Sequence, residues 1–288
     1  MADSSVHARP LVYLTHIHKT GGTSLCRMAH DLHLRTPRTY RSWGNCNFNC
    51  QAYNDLVGSS SGARALPDLD FIANEGPLVP LTRTSPGRRT FHFTVLRDPC
   101  QRLRSHYKQD HAIFQPPFTC QTSRCRGERM AQPHMLNSSF LMFANGMHKS
   151  TYGSACMRHS WYSDGILPVD NFQVRMVCGP RCAAQHVPPG GMRAEHFQLA
   201  LEQLDTLGVF ATTLELLTTS PDEWRYVAGL LGQGWLRHYA NMSKEGTLTT
   251  PQGSAMDCQA VLPALVWDQK LYDHVSQRRR KDHRLPMV

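Results

Sequence analysis

The chain has 288 residues, of which 41% are hydrophobic, and its charged residues give a net charge of 31 − 22 = +9. This composition excludes collagen-like, coiled-coil and wholly disordered chains, and the length suits one large domain or two ordinary ones. The positive charge predicts affinity for an anion, such as a nucleotide, an acidic sugar or a nucleic acid.

Membrane and compartment signals are sparse. No run approaches the roughly 18 apolar residues of a membrane helix, and residues 1–10 lack a signal-peptide pattern, so we expect membrane association only through a segment outside this sequence. Ten cysteines are many for a cytosolic protein, and sequons at Asn137 and Asn241 agree with a secretory lumen. Residues 120–189 are rich in Cys, His, Gly and Pro, which predicts irregular structure. We expect this stretch to lie on the side of the molecule where a ligand binds.

Two segments show the same succession of strand, turn and helix. Residues 11–17 form a short apolar, β-branched run that predicts a strand, and apolar residues at helical spacing follow the glycine turn after it. Residues 91–96 predict a second strand, after which Asp98 can cap a helix that has Pro99 in its first turn. Residues 69–73, between the two copies, predict a further strand.

The second half of the chain continues the alternation. A helix is predicted over residues 197–204 and a strand over residues 207–211. Ser220 and Glu223 form a capping box that opens a helix reaching Leu231. Strands that alternate with helices predict an α/β fold, with a mainly parallel sheet covered by helices on both faces.

The turn after the first strand has the composition of an anion site. Its glycines let backbone N–H groups converge on an anion at the start of a helix, Lys19 adds a positive charge, and the hydroxyls can donate to phosphate or sulfate oxygens. The alternative is a turn that needs glycine only for its geometry. The loop comprises His18, Lys19, Thr20, Gly21, Gly22, Thr23 and Ser24, and it is not a Walker A loop.

A second anion motif follows the strand over residues 91–96. Arg97 stands at the carboxyl end of that strand, Asp98 fixes the turn, and Ser105 lies two helical turns further on. Ligands of open α/β sheets bind outside the carboxyl ends of the strands, so both loops are expected to face one crevice. The alternative is that Asp98 only starts the helix and Arg97 is its partner.

Together, these segments resemble the sulfotransferases that use 3′-phosphoadenosine 5′-phosphosulfate, most closely the heparan sulfate 6-O- and 2-O-sulfotransferases. Residues 18–24 are similar to the 5′-phosphosulfate loop of that family. Residues 97–107 resemble its 3′-phosphate motif, in which the matching arginine and serine, here Arg97 and Ser105, hold the 3′-phosphate. Residues 171–176 are similar to a third block of the family, and residues 267–272 to its closing helix.

The resemblance implies one P-loop-kinase-like α/β domain over residues 11–276, with a central mainly parallel sheet flanked by helices. Residues 1–10 are then a disordered N-terminal segment, and residues 277–288 a basic C-terminal tail. The implied activity is in-line transfer of the sulfuryl group from 3′-phosphoadenosine 5′-phosphosulfate to a carbohydrate hydroxyl in the Golgi lumen, without a metal. Lys19 would stabilise charge on the leaving oxygen. The acceptor is expected to be an acidic glycan or another acidic molecule with a hydroxyl group, and not a nucleic acid.

The reaction also needs a base that takes the proton of the acceptor hydroxyl. The resemblance implies that this base lies between the two motifs, where Glu75 is the only carboxylate at the carboxyl end of the strand and is therefore the candidate. The closest relatives carry a histidine in this region, whereas other members of the family carry a glutamate. His92 is the rival, although its place within a strand favours a structural role. His106 and His111 are expected on the surface or in the acceptor groove, and Arg175 either contacts substrate or pairs with a carboxylate.

Two other classes of protein remain open at this stage. A P-loop-type kinase would share the fold and the first loop, but we find neither a Walker lysine nor a magnesium-binding carboxylate. A basic Cys/His binding module would hold zinc or nucleic acid, yet none of the cysteine spacings is that of a good zinc site. Disulfides or buried thiols are therefore the preferred interpretation of the cysteines.

Overall fold

The strands form one parallel sheet in the part of the chain that the structure describes. This structure is a computed structural model, and it describes residues 10–37, 46–47, 69–79, 89–114, 140–144, 169–183, 186–232, 234–235 and 257–282. The four strands lie in the order β2-β1-β3-β4 and all pair in parallel. They are β1 (Leu11–Thr15), β2 (Phe71–Asn74), β3 (Thr90–Leu96) and β4 (Phe210–Thr213). The predicted α/β fold with a parallel sheet is thus confirmed.

Helices connect and cover the strands. They are α1 (Gly22–Asp31), α2 (Pro99–Phe114), α3 (Phe140–Ala144), α4 (Phe172–Cys178), α5 (Ala194–Thr206), α6 (Leu214–Thr219), α7 (Pro221–Leu231), α8 (Cys258–Val261) and α9 (Val266–Asp282). Short 3-10 helices occupy Gly179–Cys182 and Leu262–Leu265. Of the irregular region predicted over residues 120–189, α3, α4 and the first 3-10 helix are described, and most of the remainder lies outside the described residues.

Two hydrophobic clusters cover the two faces of the sheet. Alternate side chains of a strand point to opposite faces, and Phe210 packs into one cluster while Ala211 packs into the other. The first cluster joins the sheet to α1 and α7 through buried residues such as Leu25 and Trp224. The second joins it to α4, α5 and α9. Helices on both faces leave the carboxyl edge of the strands as the place where the connecting loops gather.

The strand predicted over residues 207–211 begins three residues later in the structure, as β4. The reason is the end of α5, where Gly208 adopts a left-handed φ of 58° and its N–H donates to the Asp205 carbonyl. The N–H of Val209 closes the same turn onto the Leu204 carbonyl, so the strand begins only at Phe210. By contrast, the cap at Ser220 is confirmed, because its hydroxyl accepts from the Glu223 N–H.

The predicted basic tail begins inside a helix. α9 continues to Asp282, so the boundary expected at residue 277 falls within it. Arg278 is exposed, but Arg279 is buried and pairs with Glu223 beneath the rings of Phe210 and Tyr226. Arg279 is therefore part of the packed fold and not of a solvated tail. The N-terminal segment predicted to be disordered, residues 1–10, lies outside the described residues except for Pro10.

Disulfides link both near and distant positions of the described chain. The described residues contain three, Cys26–Cys46, Cys100–Cys258 and Cys178–Cys182. This agrees with the interpretation of the cysteines as disulfides rather than zinc ligands. The remaining cysteines and both sequons lie outside the described residues. Among the described helices, none has the length and apolar character needed to cross a bilayer.

Candidate functional site

The candidate site lies at the carboxyl edge of the sheet, where three neighbouring strands end. Thr15 of β1 is in register with Asn74 of β2 and with Thr94 of β3. The loops that leave these strands carry the residues that the sequence singles out: the turn over residues 18–24 after β1, Glu75 after β2 and Arg97 after β3. The parallel order β2-β1-β3 thus places the three loops side by side, with the turn from β1 in the middle.

The central turn is built by two residues with left-handed backbones. Lys19 has φ 72° and Gly21 has φ 95°, a region that side chains with a Cβ adopt rarely. Gly21 ends the turn as the N-cap of α1, and its carbonyl accepts from the N–H groups of Ser24 and Leu25. The first N–H groups of a helix have no partner within it and carry partial positive charge. The turn therefore presents Lys19 and a helix start at one place.

Thr20 helps to shape the turn from inside. Its hydroxyl donates to the Ile17 carbonyl at 2.8 Å, and its side chain is buried. Thr20 thus closes the turn internally, and its contact with a phosphate or sulfate oxygen stays a prediction. Thr23 is exposed and Ser24 is half-buried, so these two hydroxyl side chains are the ones placed near solvent.

Gly22 is needed because an imidazole packs directly on its backbone. A Cβ at this position would overlap the ring of His16, which is itself buried. The ring lies between Gly22 on one side and Glu75 on the other, with His16 Nδ1 at 3.4 Å from Glu75 Oε1. Burial lowers the pKa of His16, Glu75 raises it and Lys19 lowers it again. His16 is a site residue that the sequence analysis missed, because it lies within the run of residues 11–17 that predicts a strand, whereas β1 ends at Thr15.

Arg97 connects the two predicted anion motifs. Its Nη1 donates to the Lys19 carbonyl at 3.2 Å, so the guanidinium of the second motif lies on the turn of the first. Burial lowers the pKa of Arg97, while Glu215 and Asp98 raise it. Asp98 caps α2 as predicted, since its Oδ1 accepts from the Gln101 N–H at 2.8 Å. Ser105 is half-buried in the second turn of that helix.

Two buried polar side chains of α2, Arg102 and His106, support the turn over residues 18–24, where His18 is half-buried. The rings of His18 and His106 meet edge to face with centroids 4.7 Å apart, and Arg102 lies over the Phe172 ring at 4.9 Å. Burial lowers the pKa of His18 well below its ordinary value, and the neighbouring His106 and Lys19 add to this. His106 is fully buried, so its predicted place on the surface or in an acceptor groove is wrong. His111 belongs to α2, but its side chain lies outside the described part.

Glu75 lies at the edge, as the sequence predicts, and it has polar neighbours on both sides. Asn47 Nδ2 donates to Glu75 Oε2 at 3.2 Å, and Asn47 Oδ1 accepts from the Glu75 N–H at 2.8 Å. The rival base, His92, pairs in register with Tyr13 in the middle of the strands, and its ring packs at 5.8 Å from the Tyr13 ring. His92 is thus placed within the sheet rather than at its carboxyl edge.

The segment over residues 171–176 supports the site from behind. Gln173 accepts from the Arg97 N–H and donates to the Arg97 carbonyl, both at 2.8 Å. Arg175 is buried and pairs with Asp170 at 2.9 Å, and it also donates to backbone carbonyls, including that of Val187. Of the two alternatives left open by the sequence, pairing with a carboxylate is therefore the one that holds for Arg175.

The segments over residues 171–176 and 267–272 cap each other. Asn171 Oδ1 accepts from the N–H groups of Trp267 and Asp268 at the start of α9. In turn, the carboxylate of Asp268 caps α4, because it accepts from the N–H groups of Gln173 and Val174 at the start of that helix. This reciprocal capping fixes the helix that carries Gln173, and through it the backbone of Arg97.

One cluster of the described residues has the composition of a metal site. The ligand atoms of Cys26, His30 and Cys46 lie within 4.8 Å of one another. Zinc binds thiolates, and the two sulfurs are here joined in a disulfide. The cluster does not have the ligands of a zinc centre in this oxidation state.

The chemistry of the edge can be stated from these contacts. It offers two cationic side chains, Lys19 and Arg97, a helix start suited to an anion, and a carboxylate, Glu75, beside a buried imidazole. Comparisons of the chain with protein-family models and with curated proteins find no match in either. The function is therefore inferred from the contacts at this edge of the sheet.

Proposed function

We propose that this protein is a sulfotransferase, which moves the sulfuryl group of 3′-phosphoadenosine 5′-phosphosulfate to a hydroxyl of a carbohydrate, within a P-loop-kinase-like fold. The observation that carries the proposal is the contact of the Arg97 guanidinium with the carbonyl of Lys19. Two anion motifs that stand 78 residues apart in the sequence thereby meet at one edge of the sheet. A nucleotide with phosphoryl groups at both ends of its ribose is a ligand that needs two such motifs.

The first motif suits the 5′-phosphosulfate. The start of α1, a ten-residue helix, provides backbone N–H groups and a partial positive charge. Lys19 adds a full charge in the same turn, and this charge lowers the pKa of both His16 and His18. Burial favours the neutral form of these histidines, so in this proposal Lys19 is the cation of the turn.

The second motif suits the 3′-phosphate. Gln173 fixes the backbone of Arg97 on both sides, and the guanidinium is a planar donor that matches phosphate oxygens. Ser105 stands on the helix that begins next to Arg97 and contributes a hydroxyl. AMP lacks the 3′-phosphate, so the second motif is the one that would distinguish the bisphosphate from AMP.

The proposed reaction is an in-line displacement at sulfur. The acceptor oxygen forms a bond to sulfur, while the bond between sulfur and the 5′-phosphate oxygen breaks and leaves 3′-phosphoadenosine 5′-phosphate. Glu75 takes the proton of the acceptor hydroxyl and later passes it to solvent. The ammonium of Lys19 stabilises the charge that develops on the leaving oxygen more strongly in the transition state than in the ground state.

The acceptor and the compartment belong to the same proposal. A net charge of +9 supports an acidic glycan as the acceptor, because opposite charge favours its approach. The disulfides of the described residues support an oxidising compartment, and we propose the Golgi lumen. No step of this reaction requires a metal ion.

Calorimetry tests the nucleotide assignment. We expect 3′-phosphoadenosine 5′-phosphate to bind at least about 10-fold more tightly than AMP, in line with one or more charged contacts to the 3′-phosphate. Arg97→Ala should remove this preference, and Lys19→Ala should weaken binding of all nucleotides with a 5′-phosphate. Arg181→Ala, at an exposed position, is the control. Equal affinity for the bisphosphate, AMP and ATP would refute the proposal, and preference for ATP would favour a kinase.

A turnover assay tests the assignment of the base. Glu75→Gln keeps the size of the side chain but cannot accept a proton, so we expect unchanged affinity for the bisphosphate and a turnover lower by at least about 100-fold. The matched control is Glu195→Gln, because Glu195 is an exposed glutamate on α5. Turnover by Glu75→Gln at the level of Glu195→Gln would remove Glu75 from the reaction.

A further inference from the structure

Cys46 and Asn47 run along the outer side of β2, the edge strand of the sheet in the described part of the chain. The Ala73 N–H donates to the Cys46 carbonyl at 3.1 Å, and the disulfide joins Cys46 to Cys26 in α1. Cys46 has a positive φ of 39°, a region that residues other than glycine occupy only where their surroundings impose it. This short segment is therefore held in place by the sheet and by the helix of the first anion motif.

Asn47 contacts Glu75 with both ends of its carboxamide. Its Oδ1 accepts from the backbone N–H of Glu75, and its Nδ2 donates to Glu75 Oε2. The other carboxylate oxygen, Oε1, is the one that lies near Nδ1 of His16. A half-buried glutamate side chain can still adopt more than one rotamer, and a hydrogen bond to one of its oxygens selects among them.

We infer that Asn47 is a positioning residue for the Glu75 carboxylate, and that the Cys26–Cys46 disulfide keeps Asn47 where it can act. The inference rests on the proposed function, in which Glu75 is the base. Proton transfer needs the carboxylate within hydrogen-bond reach of the acceptor hydroxyl, so a loss of orientation lowers turnover. Nucleotide affinity is unaffected, because the contacts of Asn47 do not involve Lys19 or Arg97.

Two substitutions of Asn47 distinguish two possible roles of this residue. One role is to orient the Glu75 carboxylate, and the other is only to support the end of β2. Asn47→Ala removes both contacts, whereas Asn47→Asp keeps an oxygen for the Glu75 N–H and replaces the donor to the carboxylate with a second negative group. We expect kcat to fall on the order of 10-fold in both variants, with an unchanged KM for the donor. Wild-type turnover in Asn47→Asp would overturn the inference. In that case the oxygen that accepts from the Glu75 N–H would be sufficient, and the role of Asn47 would be only to support the strand.

The disulfide is tested by a matched pair of double variants. Cys26→Ser with Cys46→Ser should lower kcat on the order of 10-fold and leave affinity for 3′-phosphoadenosine 5′-phosphate unchanged. Cys178→Ser with Cys182→Ser removes a disulfide that closes a short loop at the end of α4 and does not involve the segment of Asn47, so this variant should retain turnover. Equal turnover in the two double variants would overturn the role of the Cys26–Cys46 disulfide.

The same measurements distinguish this inference from the proposed function. Affinity for 3′-phosphoadenosine 5′-phosphate, by calorimetry, and thermal unfolding are measured for each variant, so that a misfolded variant is recognised. If a double cysteine variant misfolds, the single substitutions of Asn47 test the inference. Absence of bisphosphate binding in the wild-type protein would refute the proposed function and the inference together. Binding and turnover that are normal in the wild type and in both Asn47 variants would refute the inference alone.

Discussion

Gln173 holds the main chain of Arg97 from both sides. Its carboxamide oxygen accepts from the Arg97 N–H and its nitrogen donates to the Arg97 carbonyl, and both bonds measure 2.8 Å. The side chain of Gln173 is buried, so water does not compete for these groups. Because the backbone is held in this way, the Cα atom from which the Arg97 side chain extends has a fixed position. The position of the guanidinium on the Lys19 carbonyl thus depends on a residue from α4, a helix far along the chain.

Replacing Gln173 should weaken nucleotide binding without removing a group that contacts the nucleotide. Gln173→Ala leaves the N–H and the carbonyl of Arg97 without their partner, and we expect affinity for 3′-phosphoadenosine 5′-phosphate to fall on the order of 10-fold. Gln259→Ala, at an exposed position near the start of α8, is the control and should bind normally. Calorimetry gives both affinities, and equal values for the two variants would contradict the role of Gln173.

Replacing glycine with alanine should lower the stability of the protein at Gly22 and raise it at Gly229. Gly22→Ala places a Cβ against the ring of His16, so we expect unfolding free energy to fall by about 1–3 kcal/mol. Gly229 lies exposed in α7 with no atom within 4 Å of a Cβ, and Gly229→Ala should stabilise by about 0.5–1 kcal/mol. Chemical denaturation measures both changes. Adding His16→Ala to Gly22→Ala should recover part of the loss, and failure to recover any would show that the ring is not the obstacle.

Asp268 should make stability depend on pH. Burial raises the pKa of Asp268 to about 6, although Arg102 and two N–H groups lower it. An aspartate in the unfolded chain titrates near about 3.9, so from about pH 4 to pH 6 the folded protein keeps a proton that the unfolded chain has lost. This contribution to stability is present at low pH and is lost as the pH rises through that window, by at most about 3 kcal/mol.

Asp268→Asn removes that titration. The stability of the variant relative to the wild type should therefore rise between about pH 4 and pH 7, as followed by thermal unfolding at several pH values. A constant difference between the two proteins across this range would contradict the raised pKa of Asp268. The comparison with the wild type at each pH cancels the contributions of the other titrating groups.

Two consecutive arginines should differ sharply in how much they contribute to the free energy of unfolding. Arg279 is buried at 5% exposure and pairs with Glu223, which also accepts from the Thr212 hydroxyl. Removing one member of a buried pair leaves the other charge without compensation, so Arg279→Ala should cost about 3–5 kcal/mol. Arg278 and Asp205 are 59% and 65% exposed, and Arg278→Ala should cost at most about 1 kcal/mol. Denaturant titration of the two variants provides the test, and similar losses would contradict the pairing with Glu223.

The parts of the fold that the sequence predicts well are those set by local chemistry. Asp98 before Pro99 marked the start of α2, and Ser220 before Pro221 marked the start of α7, because a cap and a proline at the first turn act within a few residues. The parallel sheet followed from the alternation of strands and helices. Local signals also placed Glu75 and Arg97 at strand ends, which is why the candidate site could be located.

The contacts that orient those residues depend on partners distant in sequence. Asn47 reaches Glu75 across 28 residues and Gln173 reaches Arg97 across 76, and neither residue type signals such a partner by itself. His106 was expected near the surface, but His18 and Arg102 enclose it, and only the tertiary packing of α2 against the turn determines this. The glutamate of the Ser220 capping box likewise turns inward to Arg279.

The reciprocal capping of Asn171 and Asp268 has a consequence for biosynthesis. Asp268 lies in the last described helix, and its carboxylate holds the start of the helix whose Gln173 fixes Arg97. The disulfide from Cys100 to Cys258 joins residues that stand 158 positions apart. Asp268 must therefore have been synthesised before the contacts that fix the backbone of Arg97 are complete, so this part of the candidate site forms late during translation of the described residues.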